Sequence, residues 1–310
     1  MRIVLPTRIN SGRFLPFLSL LSQGNEAGKV EIDFSDLRRV TPAGLTALVA
    51  AVVRWRRERR QVELCGLREC PILEYLQRMD VLKACGVEMV EKFVRHESKG
   101  RFVPVKLVDV DVTELGRQMA GCLAPGGEDY DHPMAGLYDF SNYVITEIAN
   151  NARQHSAGLG YAAAQLTRAE AMVRIALADN GIGILRSLQL VEFPGSDRMN
   201  DTDAIQKALE PRVSSKPGDP NEGVGLTLVA NLTRLAEGWL IIVSGTGVVS
   251  ISRDGKIVPG VLPDAGRYHG TLVGGIFPQD TTHDFAGLID RAKVEAGLLR
   301  RGRIDARFEI

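Results

Sequence analysis

The sequence predicts a mixed protein of the α/β (α+β) class with two domains. The chain has 310 residues, which is about twice the length of a typical domain. Short apolar runs with period-two spacing alternate with stretches of helical spacing, so both strands and helices are expected. Hydrophobic residues make up 45% of the chain and charged residues 25%, which excludes a mainly disordered or fibrous protein.

The first predicted domain covers residues 1–95. Strands are expected at 29–34 and 62–64, because each is a short apolar run that ends at a turn. Between them a helix should begin after Thr41, whose side chain suits a helix cap and is followed by Pro42. A strand, a helix and a second strand in this order predict a right-handed parallel crossover. A further helix is expected at 71–83.

A cluster of arginines marks the end of the helix that follows Thr41. Its members are Arg54, Arg56, Arg57, Arg59 and Arg60. Lys plus Arg and Asp plus Glu both number 38, so the formal net charge is zero, which speaks against nucleic acid or an anionic membrane as a partner. We therefore interpret the cluster as a solvated helix end, where cations favour the helix dipole, rather than as an anion-binding patch.

The segment DFSDLRRVTPAGLTALVAAVVRWRRERRQVELCGL resembles the STAS domain, the fold of anti-sigma-factor antagonists. In that family an Asp-Ser-Ser-Gly turn carries the phosphorylated serine. The matching positions here read Thr41-Pro42-Ala43-Gly44, so the serine is missing and Thr41 is explained by its capping role. The resemblance implies a STAS-like domain that docks on a partner rather than one that receives phosphate.

The second predicted domain covers residues 101–280, after a polar stretch, and residues 281–310 form a predicted helical tail. The segment 139–156 has an apolar stripe on one helical face. On another face Glu147, Asn151 and His155 recur at four-residue steps. A carboxylate, an amide and an imidazole therefore line one side of a buried helix.

Three glycine-containing motifs follow this helix: DNGIGI at 179–184, GVGL at 223–226 and GT at 270–271. The first ends a predicted strand at 171–178, the second opens a predicted helix, and the third begins a strand. In this order ExxxNAxxH, DNGIGI, GVGL and GT resemble the GHKL ATPase superfamily, which includes gyrase, histidine kinases and mismatch-repair ATPases. The resemblance covers roughly residues 105–278 and implies a Bergerat-type α/β sandwich that binds ATP and Mg²⁺.

The resemblance also implies roles for individual residues. Asn151 would hold Mg²⁺ through its side-chain oxygen, Asp179 would accept a hydrogen bond from the adenine amino group, and the Thr271 hydroxyl would support the base. Residues 184–222 would form a lid over the phosphates. The other cofactor-binding positions it implies are Gly181, Gly183, Gly223, Gly225 and Leu226. Within the lid, phosphate contacts would come from Ser214 and Ser215 together with either Lys216 or Arg212.

Glu147 is the residue on which the expectation of ATP hydrolysis or phosphoryl transfer depends. It stands four residues before Asn151, where hydrolytic members and anti-sigma serine kinases keep a general base. One hypothesis is therefore a regulatory ATPase or serine/threonine protein kinase, and the alternative is a non-catalytic, nucleotide-gated interaction module. Histidine-kinase function is disfavoured, because neither His96 nor His132 lies on a long helix before the ATP-binding part.

The expected partners are ATP and another protein, without nucleic acid or membrane. No run approaches the roughly 18 apolar residues of a membrane span, and the start of the chain has no cleavable leader pattern. The four cysteines form no Cys-x-x-Cys pair. We expect a cytoplasmic protein with reduced thiols, and the sequence leaves open whether it forms a homodimer.

Overall fold

A computed structural model describes residues 1–108, 111–213 and 223–299 of the chain. These residues form a mixed α/β fold, which confirms the predicted class. Within them, twelve strands and ten α-helices follow one another. The strands are β1 (Arg2–Val4), β2 (Arg8–Ile9), β3 (Lys29–Asp33), β4 (Arg39–Val40), β5 (Gln61–Cys65), β6 (Phe102–Leu107), β7 (Gly160–Thr167), β8 (Met172–Asp179), β9 (Trp239–Gly245), β10 (Gly247–Ile251), β11 (Ile257–Val261) and β12 (Tyr268–Pro278). The helices are α1 (Phe14–Ser22), α2 (Pro42–Arg57), α3 (Leu73–Arg78), α4 (Val81–Ala84), α5 (Val112–Leu123), α6 (Ala135–His155), α7 (Ile184–Leu190), α8 (Asp201–Ala208), α9 (Gly225–Leu235) and α10 (Phe285–Glu295).

Residues 1–95, called here the N-terminal unit, contain a parallel sheet of order β1-β3-β5. The predicted parallel crossover is confirmed, since α2 connects β3 with β5. The predicted cap is present too, because the Gly44 N–H donates to Thr41 Oγ1 at 3.4 Å. The single helix predicted at 71–83 is wrong. Asp80 takes a left-handed conformation with φ of 54°, and this separates α3 from α4.

Three arginines at the end of α2 bind neighbouring parts of the N-terminal unit. Arg54 Nε donates to Glu58 Oε1 at 2.7 Å, and Arg56 donates to the carbonyl oxygen of Cys85. Arg60 donates to two carbonyl oxygens of the loop before β3, at 3.2 and 3.0 Å. Such bonds satisfy carbonyl groups outside the regular elements. These guanidinium groups therefore help to hold the helix end in place.

The second half of the described chain is built on a seven-stranded sheet of order β11-β10-β9-β12-β8-β7-β6. Every neighbouring pair of its strands is antiparallel. Helices α5, α6, α9 and α10 pack on one face of this sheet and bury a large apolar cluster with it. The tail predicted at 281–310 contains α10 at Phe285–Glu295, and residues 300–310 lie outside the described part.

The N-terminal unit covers the opposite face of this sheet. Successive residues alternate between the two faces, as the pleat of a strand requires. Leu177 and Val273 join the cluster beneath the helices, whereas Ala178 and Leu272 join a second cluster shared with α1 and α2. Burying one large apolar side chain such as Leu272 stabilises the packing by about 1.5–3 kcal/mol. The two predicted domains therefore share an apolar core, and their boundaries at 95 and 101 stay a prediction.

The helices in the described part of the chain are too short or too polar to cross a lipid bilayer.

Candidate functional site

A cavity of about 310 Å³ opens between α6, α9 and the ends of β8 and β12. Four separate segments of the chain contribute to its wall. Leaving aside the phosphate contacts of the lid, the sequence predicts nine site residues, and eight of them line the cavity: Glu147, Asn151, Asp179, Gly183, Gly223, Gly225, Leu226 and Thr271. The ninth, Gly181, lies behind the wall, in the turn that follows Asp179. The volume is in the range of cavities that hold small ligands.

Asp179 ends β8 and forms the floor of the cavity. It is 2% exposed, and the backbone N–H groups of Gly181 and Thr271 donate to its carboxylate. The burial outweighs these hydrogen bonds and raises its pKa from 3.8 to about 7. A buried carboxylate is an acceptor without a donor of its own, so it suits a ligand that brings an N–H group.

The turn after Asp179 depends on its glycines. A Cβ at Gly181 would collide with the backbone of Ser156, at the end of α6. Gly183 has φ of +78° and lies against the Ser244 hydroxyl. That hydroxyl accepts from Ile184 N at 2.9 Å and donates to the Gly270 carbonyl oxygen at 3.0 Å. The turn is thereby locked between α6 and the β9 and β12 strands.

Glu147 lies on the cavity side of α6, opposite the first residues of α9. A Cβ at Gly225 would collide with the Glu147 carboxylate, so glycine lets the carboxylate stand directly beside the helix start. Burial raises the pKa of Glu147, although a hydrogen bond from the Tyr143 hydroxyl opposes that rise. A carboxylate with a raised pKa is a better proton acceptor near neutral pH.

Asn151 lies one helical turn after Glu147. Its Nδ2 atom is buried and has no hydrogen-bond partner within the described residues, so this donor is available for an acceptor atom of a ligand, such as a phosphate oxygen. No group of three or more His, Cys, Asp or Glu side chains in the described part is placed to hold a metal ion. Mg²⁺ binds through few protein ligands together with water and phosphate oxygens. A single amide oxygen at Asn151 fits that mode of binding.

The predicted lid contains α7 and α8 in its described part. Its two described ends meet, because Arg212 N donates to the Gly223 carbonyl oxygen at 2.9 Å. Gly223 has φ of +74°, and a Cβ there would stand 2.7 Å from the backbone of Val213. Arg212 does not line the cavity. The other predicted phosphate contacts, Ser214, Ser215 and Lys216, lie outside the described residues.

Sequence reasoning missed two residues that organise the site. Tyr143 lies four residues before Glu147 on the same helix, and that spacing is a signal from which the contact was predictable. Ser244 lies at the end of β9, far from the motifs in sequence, and no local pattern points to it. His155, which the sequence places on the same helical face as Glu147, lines the cavity at the end of α6.

No protein-family model and no curated protein sequence matches this chain. The interpretation of the cavity therefore depends on its own residues and their geometry.

Proposed function

We propose that the chain is a regulatory ATP- and Mg²⁺-binding protein of the GHKL type, with a Bergerat-type nucleotide fold behind a STAS-like unit. The observation that carries this proposal is the gathering of the sequence motifs around one cavity. Glu147 and Asn151 come from α6, Asp179 from β8, Gly225 from α9 and Thr271 from β12. These elements are far apart in sequence. Their meeting at one cavity is therefore an observation separate from the order of the sequence motifs, on which the resemblance to the GHKL superfamily was based.

The two ends of the cavity suit the two ends of ATP. At the floor, the Asp179 carboxylate would accept a hydrogen bond from the adenine amino group, and a guanine carbonyl at that place would be repelled. At the opposite wall, the start of α9 presents free backbone N–H groups and the positive end of the helix dipole to the phosphates. Asn151, between the two, would supply the oxygen ligand for Mg²⁺, which neutralises phosphate charge when bound.

Glu147 gives the proposal its chemistry. A water molecule would attack the terminal phosphorus atom and transfer a proton to the Glu147 carboxylate, while the bond to the bridging oxygen breaks and ADP leaves. The serine or threonine hydroxyl of a protein substrate would replace the water in a kinase reaction. Burial and the adjoining Tyr143 hydroxyl hold the carboxylate in place for this step.

A second candidate function is a nucleotide-gated interaction module without turnover. It is favoured by the turn at Thr41-Pro42-Ala43-Gly44, which has no serine and whose one hydroxyl caps α2. It is favoured also by the shared apolar core, through which a change at the cavity can reach the N-terminal unit. Stoichiometric ATP binding with no product over hours would select this candidate.

The test is purified protein with ATP and Mg²⁺, assayed for bound nucleotide by calorimetry and for ADP release. We expect Asn151→Ala to lose the Mg²⁺ dependence of ATP affinity. We expect Glu147→Gln to keep ATP affinity and to lose about 10²–10⁴ in turnover, which is the usual contribution of a positioned base.

Glu114→Gln is the matched control for the base. Glu114 is a half-buried glutamate of α5 that pairs with Arg117 and does not line the cavity, and its replacement should change neither quantity. If Glu147→Gln turns over ATP at the wild-type rate, the assignment of Glu147 as the general base is wrong. Equal ATP affinity of the wild type and Asn151→Ala in Mg²⁺ would count against the nucleotide site as a whole.

A further inference from the structure

The turn that follows Asp179 is held between two helices, one from each half of the chain. On one side it meets the end of α6, where Ile182 N donates to the Ser156 carbonyl oxygen at 2.7 Å. On the other side it meets α2 of the N-terminal unit, where Asn180 Nδ2 donates to the Ala50 carbonyl oxygen at 3.3 Å. The base-binding end of the proposed site is therefore in direct contact with the N-terminal unit.

Asn180 is fixed by hydrogen bonds at three atoms. Its Oδ1 accepts from Leu159 N at 2.9 Å, and its own N–H donates to the Leu159 carbonyl oxygen at 3.1 Å. The remaining Nδ2 reaches Ala50, which is 1% exposed. These three hydrogen bonds fix both the backbone and the side-chain amide of Asn180, so the side chain cannot change rotamer without breaking one of them. A displacement of α2 is therefore transmitted to the backbone beside Asp179.

A second contact supports the same turn from behind. The Tyr268 hydroxyl donates to the backbone carbonyl oxygen of Asp179 at 3.2 Å. Tyr268 is 6% exposed and belongs to the apolar cluster that β12 shares with Leu18 and Leu21 of α1. The N-terminal unit thus contacts this turn directly at Asn180 and packs against Tyr268, which holds the Asp179 carbonyl oxygen.

We propose that Asn180 is a positioning residue that couples α2 of the N-terminal unit to the base end of the nucleotide site. The inference rests on the proposed function, since it concerns regulation of that same site. ATP at Asp179 would hold the turn and, through Asn180, the middle of α2. Coupling between two sites is reciprocal, so a protein partner that moves the N-terminal unit would change the affinity for ATP.

The test is hydrogen exchange of the α2 amides, measured on the full chain with and without saturating ATP and Mg²⁺. In the wild type we expect ATP to slow exchange around Ala50. In Asn180→Ala we expect this slowing to disappear and the dissociation constant of ATP to rise about threefold to tenfold, as expected for the loss of one or two hydrogen bonds. A purely structural Asn180 would lower the unfolding temperature and leave the ATP-dependent slowing intact.

Asn25→Ala is the matched control, because Asn25 also bridges the two halves. Its Nδ2 donates to the Arg267 carbonyl oxygen at 3.4 Å, and its Oδ1 accepts from Trp55 Nε1 at 3.0 Å. Neither of these hydrogen bonds ends on the turn after Asp179, so the variant should keep both the affinity for ATP and the slowing of exchange. Loss of both in Asn25→Ala would overturn the specific role of Asn180.

Hydrogen exchange of the wild type tests the coupling even if Asn180→Ala does not fold. ATP binding with unchanged exchange in α2 would overturn the coupling and leave the proposed function standing. Absence of ATP binding by the wild type would refute the proposed function itself. A folded Asn180→Ala with wild-type affinity and wild-type slowing would also overturn the inference.

Discussion

Replacing Asp179 with asparagine tests whether the carboxyl at the cavity floor is kept for ligand binding at the expense of stability. Burial raises the pKa of Asp179 from 3.8 to about 7 although two backbone N–H groups donate to it. Asparagine has nearly the same shape and keeps one oxygen for those N–H groups, but it carries no charge. We expect Asp179→Asn to bind ATP more weakly and to be more stable than the wild type above pH 7.

The magnitude follows from the pKa. A carboxyl whose pKa is higher in the folded chain than in the unfolded chain binds its proton more tightly when folded. Its stabilisation is fully present below about pH 3.8 and is lost as the pH rises through about 7. The rise from 3.8 to about 7 corresponds to about 4 kcal/mol of unfolding free energy. About 2–3 kcal/mol of this loss falls between pH 5 and pH 8.

The assay is urea unfolding of nucleotide-free protein, followed by tryptophan fluorescence at pH 5 and pH 8. We expect the unfolding free energy of the wild type to fall by about 2–3 kcal/mol more than that of Asp179→Asn over this interval. Other groups with raised pKa values, Glu147 among them, are present in both proteins and cancel in the difference. Parallel losses in the two proteins would refute the assignment of the raised pKa to Asp179.

Three further predictions concern the same cavity. Gly181→Ala should lower the unfolding free energy by about 1–3 kcal/mol in urea, because its Cβ meets the rigid backbone of Ser156. Gly225→Ala should leave that free energy nearly unchanged, since the Glu147 carboxylate can swing aside, and should slow ATP turnover about 100-fold by misplacing the base. In calorimetric titrations, the ATP affinity of the wild type should fall about tenfold from pH 8 to pH 6, as the ionised fraction of Asp179 falls.

The local elements of the site were predictable because short-range patterns specify them. Four-residue spacing placed Glu147, Asn151 and His155 on one face of α6, and all three line the cavity. The period-two run before Asp179 predicted a strand that ends at the cavity floor, as β8 does. Both patterns follow from the repeat of a helix or a strand, and neither needs knowledge of the tertiary fold.

The break at Asp80 and the role of Ser244 were not predictable in the same way. A left-handed residue at Asp80 interrupts a stretch whose apolar spacing is helical throughout, because tertiary packing overrides local propensity there. Ser244 acts through hydrogen bonds to Ile184 and Gly270, which are distant in sequence. Contacts of this kind become visible only when the strands are placed side by side.

The covering of the sheet by the N-terminal unit left a signal in the sequence of β8. Strands with one solvated face alternate apolar and polar residues, whereas Ala176, Leu177 and Ala178 form a continuous apolar run, as in strands buried on both faces. Such a run is typical of a strand that is covered on both faces, and the structure shows that residues 1–95 form the second covering layer.

Small residues on both surfaces set the distance between α2 and the sheet. Ala178 of β8 is fully buried beneath α2, and a Cβ added at Gly274 of β12 would stand 3.4 Å from the Cβ of Ala43. Because the helix lies this close, the short side chain of Asn180 spans the gap to the Ala50 carbonyl oxygen. A longer separation would break that hydrogen bond before it broke the apolar core, since a hydrogen bond weakens steeply beyond its normal distance. The packing of the N-terminal unit and the position of the Asp179 turn are therefore set by the same interface.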